Sequence, residues 1–162
     1  MNPGFARNKN WLPLLLLLVL CLHGCDSSSY KANHHFSGEE WPGDEIISFE
    51  FIPHQHGNYQ PSVWFRHTTD YPYLDLHCLI SITGDYVTLL ADTLHLQLAT
   101  PDGIWKGQGI NGFKTFSTSL SHPVQLDSAK HYTITIRQLM KDNPLPAISD
   151  TGITLELQTT ND

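Results

Sequence analysis

Two histidines, His54 and His56, stand one residue apart and form the pair in this sequence whose type and spacing best suit a metal ion. Side chains at positions i and i+2 of an extended chain point to the same side, so both imidazoles can reach one ion. Zinc needs further ligands, and no third ligand is fixed by the spacing. Pro53 also ends the strand-like run just before the pair. His54 and His56 are therefore weak metal candidates, a solvated loop is the favoured interpretation, and we expect no metal and no cofactor.

Nucleophilic chemistry has little support in the sequence. Cys78 alternates with leucines and isoleucines, which is typical of a small buried residue and not of a reactive thiol. There is no Gly-x-Ser-x-Gly motif, and the glycines of segment 101–112 follow no phosphate-binding spacing. We expect a protein without enzyme activity.

Three tryptophans, Trp41, Trp64 and Trp105, offer a different chemistry, because indole rings can stack on sugars. Trp64 would have to point out of its strand for this purpose. Packing in a core or an interface is the favoured interpretation, and a lipid-anchored module that binds a glycan or small ligand is kept as the alternative function.

The composition limits the classes of partner. The chain has 162 residues, of which 40% are hydrophobic and 15% charged, so it suits one folded domain and not a disordered chain. Its net charge is −7, without a cluster of lysine and arginine. A basic face is needed to neutralise phosphates, so we expect no binding to nucleic acid.

The N-terminus has the features of a bacterial lipoprotein signal. Positive residues precede an apolar run, Trp11 to Leu22, that is shorter than the roughly 20 residues needed to span a bilayer. The run ends in Leu-His-Gly-Cys, which resembles a lipobox with Cys25 as the lipidated residue. An ordinary secretory signal without lipid is the alternative. The expected domains are a signal peptide over residues 1–24, a flexible tether over 25–40 and one folded domain over 41–162.

Period-two alternation of apolar and polar residues dominates the rest of the chain. It runs through 47–51, 63–68, 74–83, 86–98, 113–120, 132–137 and 153–157, with a bend expected at Asp92. This periodicity places one face of each strand on a core and the other in water, as in antiparallel sheets. We predict an all-β fold, an antiparallel β-sandwich of about seven or eight strands, Ig-like or jelly-roll-like, with a closed barrel as the alternative.

Three segments resemble one known family. They are Arg66–Leu76, which contains Tyr-Pro-Tyr; Asp92–Leu94 with Ala99–Gly109; and Gln138–Ile153, which contains Asn-Pro-Leu-Pro. These segments, in this order after a lipoprotein signal, resemble the gliding-motility-associated lipoprotein GldH family of the Bacteroidetes. The resemblance covers roughly residues 41–157.

The resemblance implies an envelope lipoprotein that acts without catalysis in the gliding-motility and type IX secretion machinery. Its expected partners are the membrane, through lipid on Cys25, and other gliding and secretion envelope lipoproteins. The outer membrane or the periplasmic face is favoured over the inner membrane. Because relatives also occur in bacteria that do not glide, a role in envelope assembly can persist without motility.

Rigid aromatic and proline-rich loops are candidate epitopes, because little entropy is lost when they are immobilised. The candidate epitope residues are Tyr71, Pro72, Tyr73, Trp105, Pro144, Leu145 and Pro146. The alternative is that these loops only cap the sandwich. In addition, Asp127–Ala129 and Asp92–Leu94 resemble the Asp-Ser/Thr-apolar acceptor of Bacteroidetes O-glycosylation, with Ser128 in a turn the better candidate and Thr93 the weaker one.

Overall fold

The computed structural model describes residues 29–158; the predicted signal peptide and Cys25 lie outside this range. It contains eleven strands and one short 3₁₀ turn, Ser37–Glu39. The strands are β1 Ser29–His35, β2 Glu40–Trp41, β3 Ile47–Phe51, β4 Gly57–Thr68, β5 Asp75–Gly84, β6 Val87–Gln97, β7 Phe113–Ser119, β8 Val124–Leu126, β9 Tyr132–Gln138, β10 Leu145–Pro146 and β11 Ile148–Leu157. Eight of them have five residues or more, in agreement with the seven or eight expected from the alternation.

The strands form two large antiparallel sheets and one small ladder. One sheet has the order β1-β11-β4-β7, with β8 also paired to β4. The other has the order β3-β9-β5-β6, and β2 pairs with β10. Neither large sheet closes on itself, so the fold is a sandwich and not the barrel kept as the alternative.

The core lies between the two large sheets and follows directly from the alternation in the sequence. Every second residue of β4 and β5 is buried, as are Ile134 and Ile136 of β9 and Ile153 and Leu155 of β11. Apart from Pro61 and His67 of β4, these residues belong to one continuous apolar cluster. Removing their apolar surface from water is the main force that holds the sheets together.

The prediction of a flexible tether over residues 25–40 is wrong for residues 29–40. Strand β1 pairs with β11 along its whole length, from Ser29 opposite Glu156 to His35 opposite Asp150. Next to it, Phe36 and Trp41 are buried and their rings stack 5.0 Å apart. The prediction failed because β1 is a half-exposed edge strand without fully buried residues, so it lacks the apolar alternation by which strands are recognised.

The connections between strands gather at two opposite ends. We call the "loop end" the segments 36–46, 69–74, 98–112 and 139–147, which contact one another. We call the "hairpin end" the turns 52–56, 84–86 and 127–131, together with the first and last described residues, Ser29 and Gln158. The N-terminal strand therefore starts at the hairpin end and runs toward the loop end.

Candidate functional site

The loop between β4 and β5 is held by its two tyrosines, on either side of an exposed proline. The ring of Tyr71 is buried, and its hydroxyl donates to the backbone oxygen of Asp75 over 3.0 Å. The half-buried Tyr73 donates to Asp142 Oδ2 over 2.6 Å. Burial raises the pKa of Tyr71, and the hydrogen bond to Asp142 raises the pKa of Tyr73, so both hydroxyls stay protonated donors. Of this predicted epitope, Pro72 is the residue that is well exposed, because Tyr71 packs inward.

Trp105 packs beside Tyr71 and His67 at the loop end. Its half-buried ring packs 4.6 Å from the imidazole of His67 and 6.5 Å from Tyr71. His67 is fully buried, and its Nδ1–H donates to the carbonyl of Thr68 over 2.8 Å. Its Nε2 is buried without a hydrogen-bond partner among residues 29–158. Burial lowers the pKa of His67, so the imidazole is neutral and serves here as an aromatic packing group.

The third part of the predicted epitope, Pro144 to Pro146, is divided between surface and core. Pro144 is exposed and Pro146 is half-buried, whereas Leu145 is fully buried opposite Trp41 in the β2–β10 ladder. The backbone N–H of Gly43 donates to Asn143 Oδ1 over 2.8 Å, which ties this loop to segment 36–46. Leu145 is therefore an anchor of the loop and not a contact residue.

The surface of the loop end carries apolar side chains that point into solvent. Five of them lie in its loops or next to them: Ile46, Leu74, Ile104, Ile110 and Leu139. Ile110 is 78% exposed and Ile104 is 65% exposed, which is high for isoleucine. Rigid loops with exposed apolar tips fit a surface that contacts another macromolecule.

A cluster of titratable groups lies on the outer face of the β5–β6 ladder, beside the loop end. His77 and His95 are directly opposite in register, and their rings stack 4.2 Å apart at 12°. Asp75 Oδ2 lies 2.8 Å from His95 Nε2 and 3.3 Å from His77 Nε2. The hydrogen bond from His95, with a weaker contribution from His77, holds the pKa of the Asp75 carboxyl below its usual value. Among residues 29–158, this is the group of three side chains able to hold a metal ion.

The sequence did not reveal this cluster, because it depends on which residue of β6 lies opposite His77. The Asp-x-His spacing of Asp75 and His77 was visible, but a one-residue change in register would turn His95 to the other face. Regular pairing from the tight turn at 84–86 would place His77 opposite Leu94; the register shift between Ile82 and Thr83 brings His95 opposite His77 instead, and no signal in the sequence marks that shift.

The predicted pair His54 and His56 lies at the hairpin end and does not converge on a third ligand within the described chain. Both side chains are exposed, and His56 Nδ1 lies 2.9 Å from Asp127 Oδ1. Asp127 also binds Lys130 Nζ over 3.0 Å, and this cation, followed by His56, lowers the pKa of the carboxyl. His56 thus belongs to a solvated network of charges in the turn.

Cys78, Trp41 and Trp105 pack within the domain, as the sequence analysis favoured, whereas Trp64 does not. Cys78 is fully buried, and burial raises the pKa of its thiol to about 12. Trp41 lies in the core, and Trp105 packs on His67. Trp64 instead lies on the outer face of its sheet, over Gly152, where a Cβ would come within 2.5 Å of the indole. The three indoles therefore do not share one sugar-binding platform.

The two residues in O-glycosylation-like sequences are both exposed. Ser128 lies in the turn between β8 and β9 at the hairpin end, and Thr93 lies in the middle of strand β6. A turn accommodates a glycan more easily than a paired strand. Ser128 thus stays the better candidate.

Two stacked antiparallel sheets, with apolar loops at the end opposite to the start of the N-terminal strand, define a β-sandwich protein with one elaborated surface. The family model described as GldH lipoprotein matches residues 28–155, and the chain belongs to this family. As a member of a lipoprotein family, it is anchored to a membrane by lipid. No helix within residues 29–158 is long and apolar enough to cross a bilayer.

Two relatives match along almost their whole length. The gliding motility lipoprotein GldH of Flavobacterium johnsoniae is 24% identical over 151 residues, which cover 88% of this chain and 94% of the relative. The gliding motility lipoprotein GldH homolog of Christiangramia forsetii is also 24% identical, over 88% of this chain and 93% of the relative. Among solved structures, a family 35 carbohydrate binding module from Clostridium thermocellum matches 79% of this chain and 93% of its own, with 15% identity and a TM-score of 0.41. A likeness this distant carries no argument about function.

Proposed function

We propose that this protein is a non-enzymatic accessory of the gliding-motility and type IX secretion machinery, anchored through lipid on Cys25. It contacts other envelope lipoproteins with its loop end. Its place is the outer membrane or the periplasmic face of the envelope. The names of the two relatives and the family support the link to gliding motility.

The observation that carries the proposal is the position of Ser29. The first described residue lies at the hairpin end, and only three residues lie between it and Cys25. The four Cα–Cα steps from Cys25 to Ser29 span at most about 14 Å even when fully extended. The lipid therefore keeps the hairpin end close to the membrane and turns the loop end away from it, toward proteins of the envelope.

The exposed side chains of the two ends agree with this orientation. The loop end offers Ile104 and Ile110 on connections that are tied to one another by hydrogen bonds. The hairpin end exposes Tyr86 and Val87 at a tight turn, and an aromatic ring with a polar tip suits the headgroup region of a bilayer. The two ends thus match two different environments.

Crosslinking from matched positions tests the proposal. A photoreactive amino acid is placed at Ile110 on the loop end or at Tyr86 on the hairpin end of the lipoprotein in its native envelope. We expect protein adducts from position 110, with other gliding or secretion lipoproteins among them, and lipid adducts from position 86. Protein adducts from position 86 alone would show that the orientation is wrong.

A secretion assay tests the cellular role independently of the orientation. Cells that lack the protein should secrete less type IX cargo, and the wild-type chain should restore secretion. A variant with Ile104→Ser and Ile110→Ser should not restore it although it accumulates normally. Normal secretion without the protein would remove the link to this machinery while leaving the crosslinking result intact.

A further inference from the structure

We propose that Asp75, His77 and His95 form a binding site for a divalent transition metal ion, with zinc the best match. The site lies on the outer face of the β5–β6 ladder. It is separate from the pair His54 and His56, and it does not depend on lipid anchoring.

The backbone brings the three residues together without help from a flexible loop. His77 and His95 are directly opposite in the antiparallel register, and Asp75 precedes His77 by two residues on the same face. Directly opposite residues have Cβ atoms about 4.5–5.5 Å apart, which lets two imidazoles reach one ion. Two paired strands hold these Cβ positions more firmly than a loop does.

The donor atoms are already close to the spacing that a zinc ion requires. His95 Nε2 and His77 Nε2 both point at Asp75 Oδ2, over 2.8 Å and 3.3 Å. One donor atom from each residue lies within 4.8 Å of the other two. Zinc binds nitrogen and oxygen at about 2.0–2.2 Å, so tetrahedral donors lie roughly 3.3 Å apart, and small side-chain rotations would suffice.

The chemistry of the donors selects the class of ion. Two imidazoles and one carboxylate suit zinc and neighbouring transition metals, whereas calcium and magnesium prefer a full set of oxygen ligands. All three side chains are partly exposed. A fourth position is therefore open to water or to a group supplied by a partner at the adjacent loop end.

Other histidine–carboxylate pairs of the described chain lack this convergence. His34 lies 3.2 Å from Glu45 and His35 lies 2.9 Å from Asp150, each with one imidazole on one carboxylate. At Asp127 the lysine Lys130 competes with His56 for the carboxylate. Within residues 29–158, by contrast, the ion-pair partners of Asp75 are the two histidines alone.

The test is a calorimetric titration of the mature lipoprotein, purified in detergent without a polyhistidine tag, with zinc chloride. We expect one equivalent to bind to the wild type. His77→Gln and His95→Gln should each weaken binding more than about 10-fold, because loss of even an outer-shell partner costs 10–100-fold at metal sites. His56→Gln is the matched control and should bind as the wild type does.

A second readout separates a metal site from a hydrogen-bonded surface cluster. Cobalt(II) bound to wild-type protein should give the visible absorption bands of a low-coordinate site, and His95→Gln should lose them. Thermal unfolding in the presence of a chelator should be similar for all variants, which shows that they are folded. The proposal is overturned if zinc does not bind the wild type or if both histidine variants bind it unchanged.

Discussion

The two ends of the sandwich are built by different means. The loop end consists of long connections fixed by buried aromatic rings, such as Trp41 and Tyr71. The hairpin end consists of short turns held by backbone geometry and exposed charges, with positive φ at Asp85 and Tyr86 and with Lys130 bridging Asp85 and Asp127. A surface built on buried rings keeps its shape when a partner binds, whereas short turns can present isolated side chains to a membrane. The proposed function accordingly assigns attachment to the hairpin end and recognition to the loop end.

The largest expected effect comes from removing the attachment at the hairpin end. Cys25→Ser leaves no thiol for lipid, and each buried methylene of an acyl chain contributes about 0.8 kcal/mol to anchoring, so we expect membrane association to be lost completely. Fractionation of cells into membrane and soluble material measures it. Cys78→Ser is the control for removal of a cysteine and should stay in the membrane fraction. A membrane-bound Cys25→Ser variant would contradict the prediction.

The next largest effect should distinguish the interiors of the two ends. Trp41→Ala removes a fully buried indole that stacks 5.0 Å from Phe36 and 6.1 Å from Phe65, and it should destabilise the domain by about 3–5 kcal/mol. Tyr86→Ala removes an exposed ring and should change the free energy of unfolding by less than about 0.5 kcal/mol. Urea denaturation measures both. Equal losses of unfolding free energy in the two variants would mean that buried aromatic packing does not distinguish the loop end from the hairpin end.

The sequence predicted the interior of this fold far better than its ends. Alternation at 47–51, 74–83 and 132–137 coincides with β3, β5 and β9, because a strand with one buried face must alternate. The bend predicted at Asp92 is wrong: β6 runs through it without interruption. The strand tolerates this aspartate because its side-chain carboxylate does not disturb the backbone pairing and accepts a hydrogen bond from the Ser121 hydroxyl.

The exposed residues of the loop end were harder to predict, since aromatic and proline-rich segments look alike whether they face solvent or the core. Tyr71 and Leu145 turned inward as anchors of their loops, while Pro72 and Pro144 stayed exposed. Ile104 and Ile110 were missed because no periodicity marks an exposed isoleucine in a loop. The pairing of His77 with His95 is a property of register, which a single strand does not contain.

A smaller effect should appear in the pH dependence of the free energy of unfolding, through His67 beside the loop end. His67 is buried and its pKa is lowered from 6.5, mainly by burial, so the unfolded chain binds a proton more readily than the folded one. Stability is therefore fully present above pH 6.5 and falls with decreasing pH between 6.5 and the lowered pKa, by at most about 1.4 kcal/mol per pH unit. Denaturation of wild type and His67→Phe at several pH values measures it. The wild type should lose more stability in acid; parallel curves would show that His67 does not contribute.

The smallest expected effect on stability is the most informative about function. Ile110→Ser and Tyr86→Ser each change one exposed residue, at opposite ends, and neither should shift the free energy of unfolding by more than about 0.5 kcal/mol. Capture of envelope proteins by the lipidated variants should nevertheless differ. We expect Ile110→Ser to recover less partner protein than the wild type, because it removes an apolar contact at the loop end.

Tyr86→Ser supplies the matched comparison, since it removes a larger exposed side chain from the end that the proposed orientation turns toward the lipid. It should recover the same partner proteins as the wild type and lower only the affinity of the non-lipidated domain for vesicles. If Tyr86→Ser loses the partners and Ile110→Ser keeps them, then recognition and attachment share the hairpin end. The aromatic network beneath the loop end would then be a stabilising element of the fold and not the base of a contact surface.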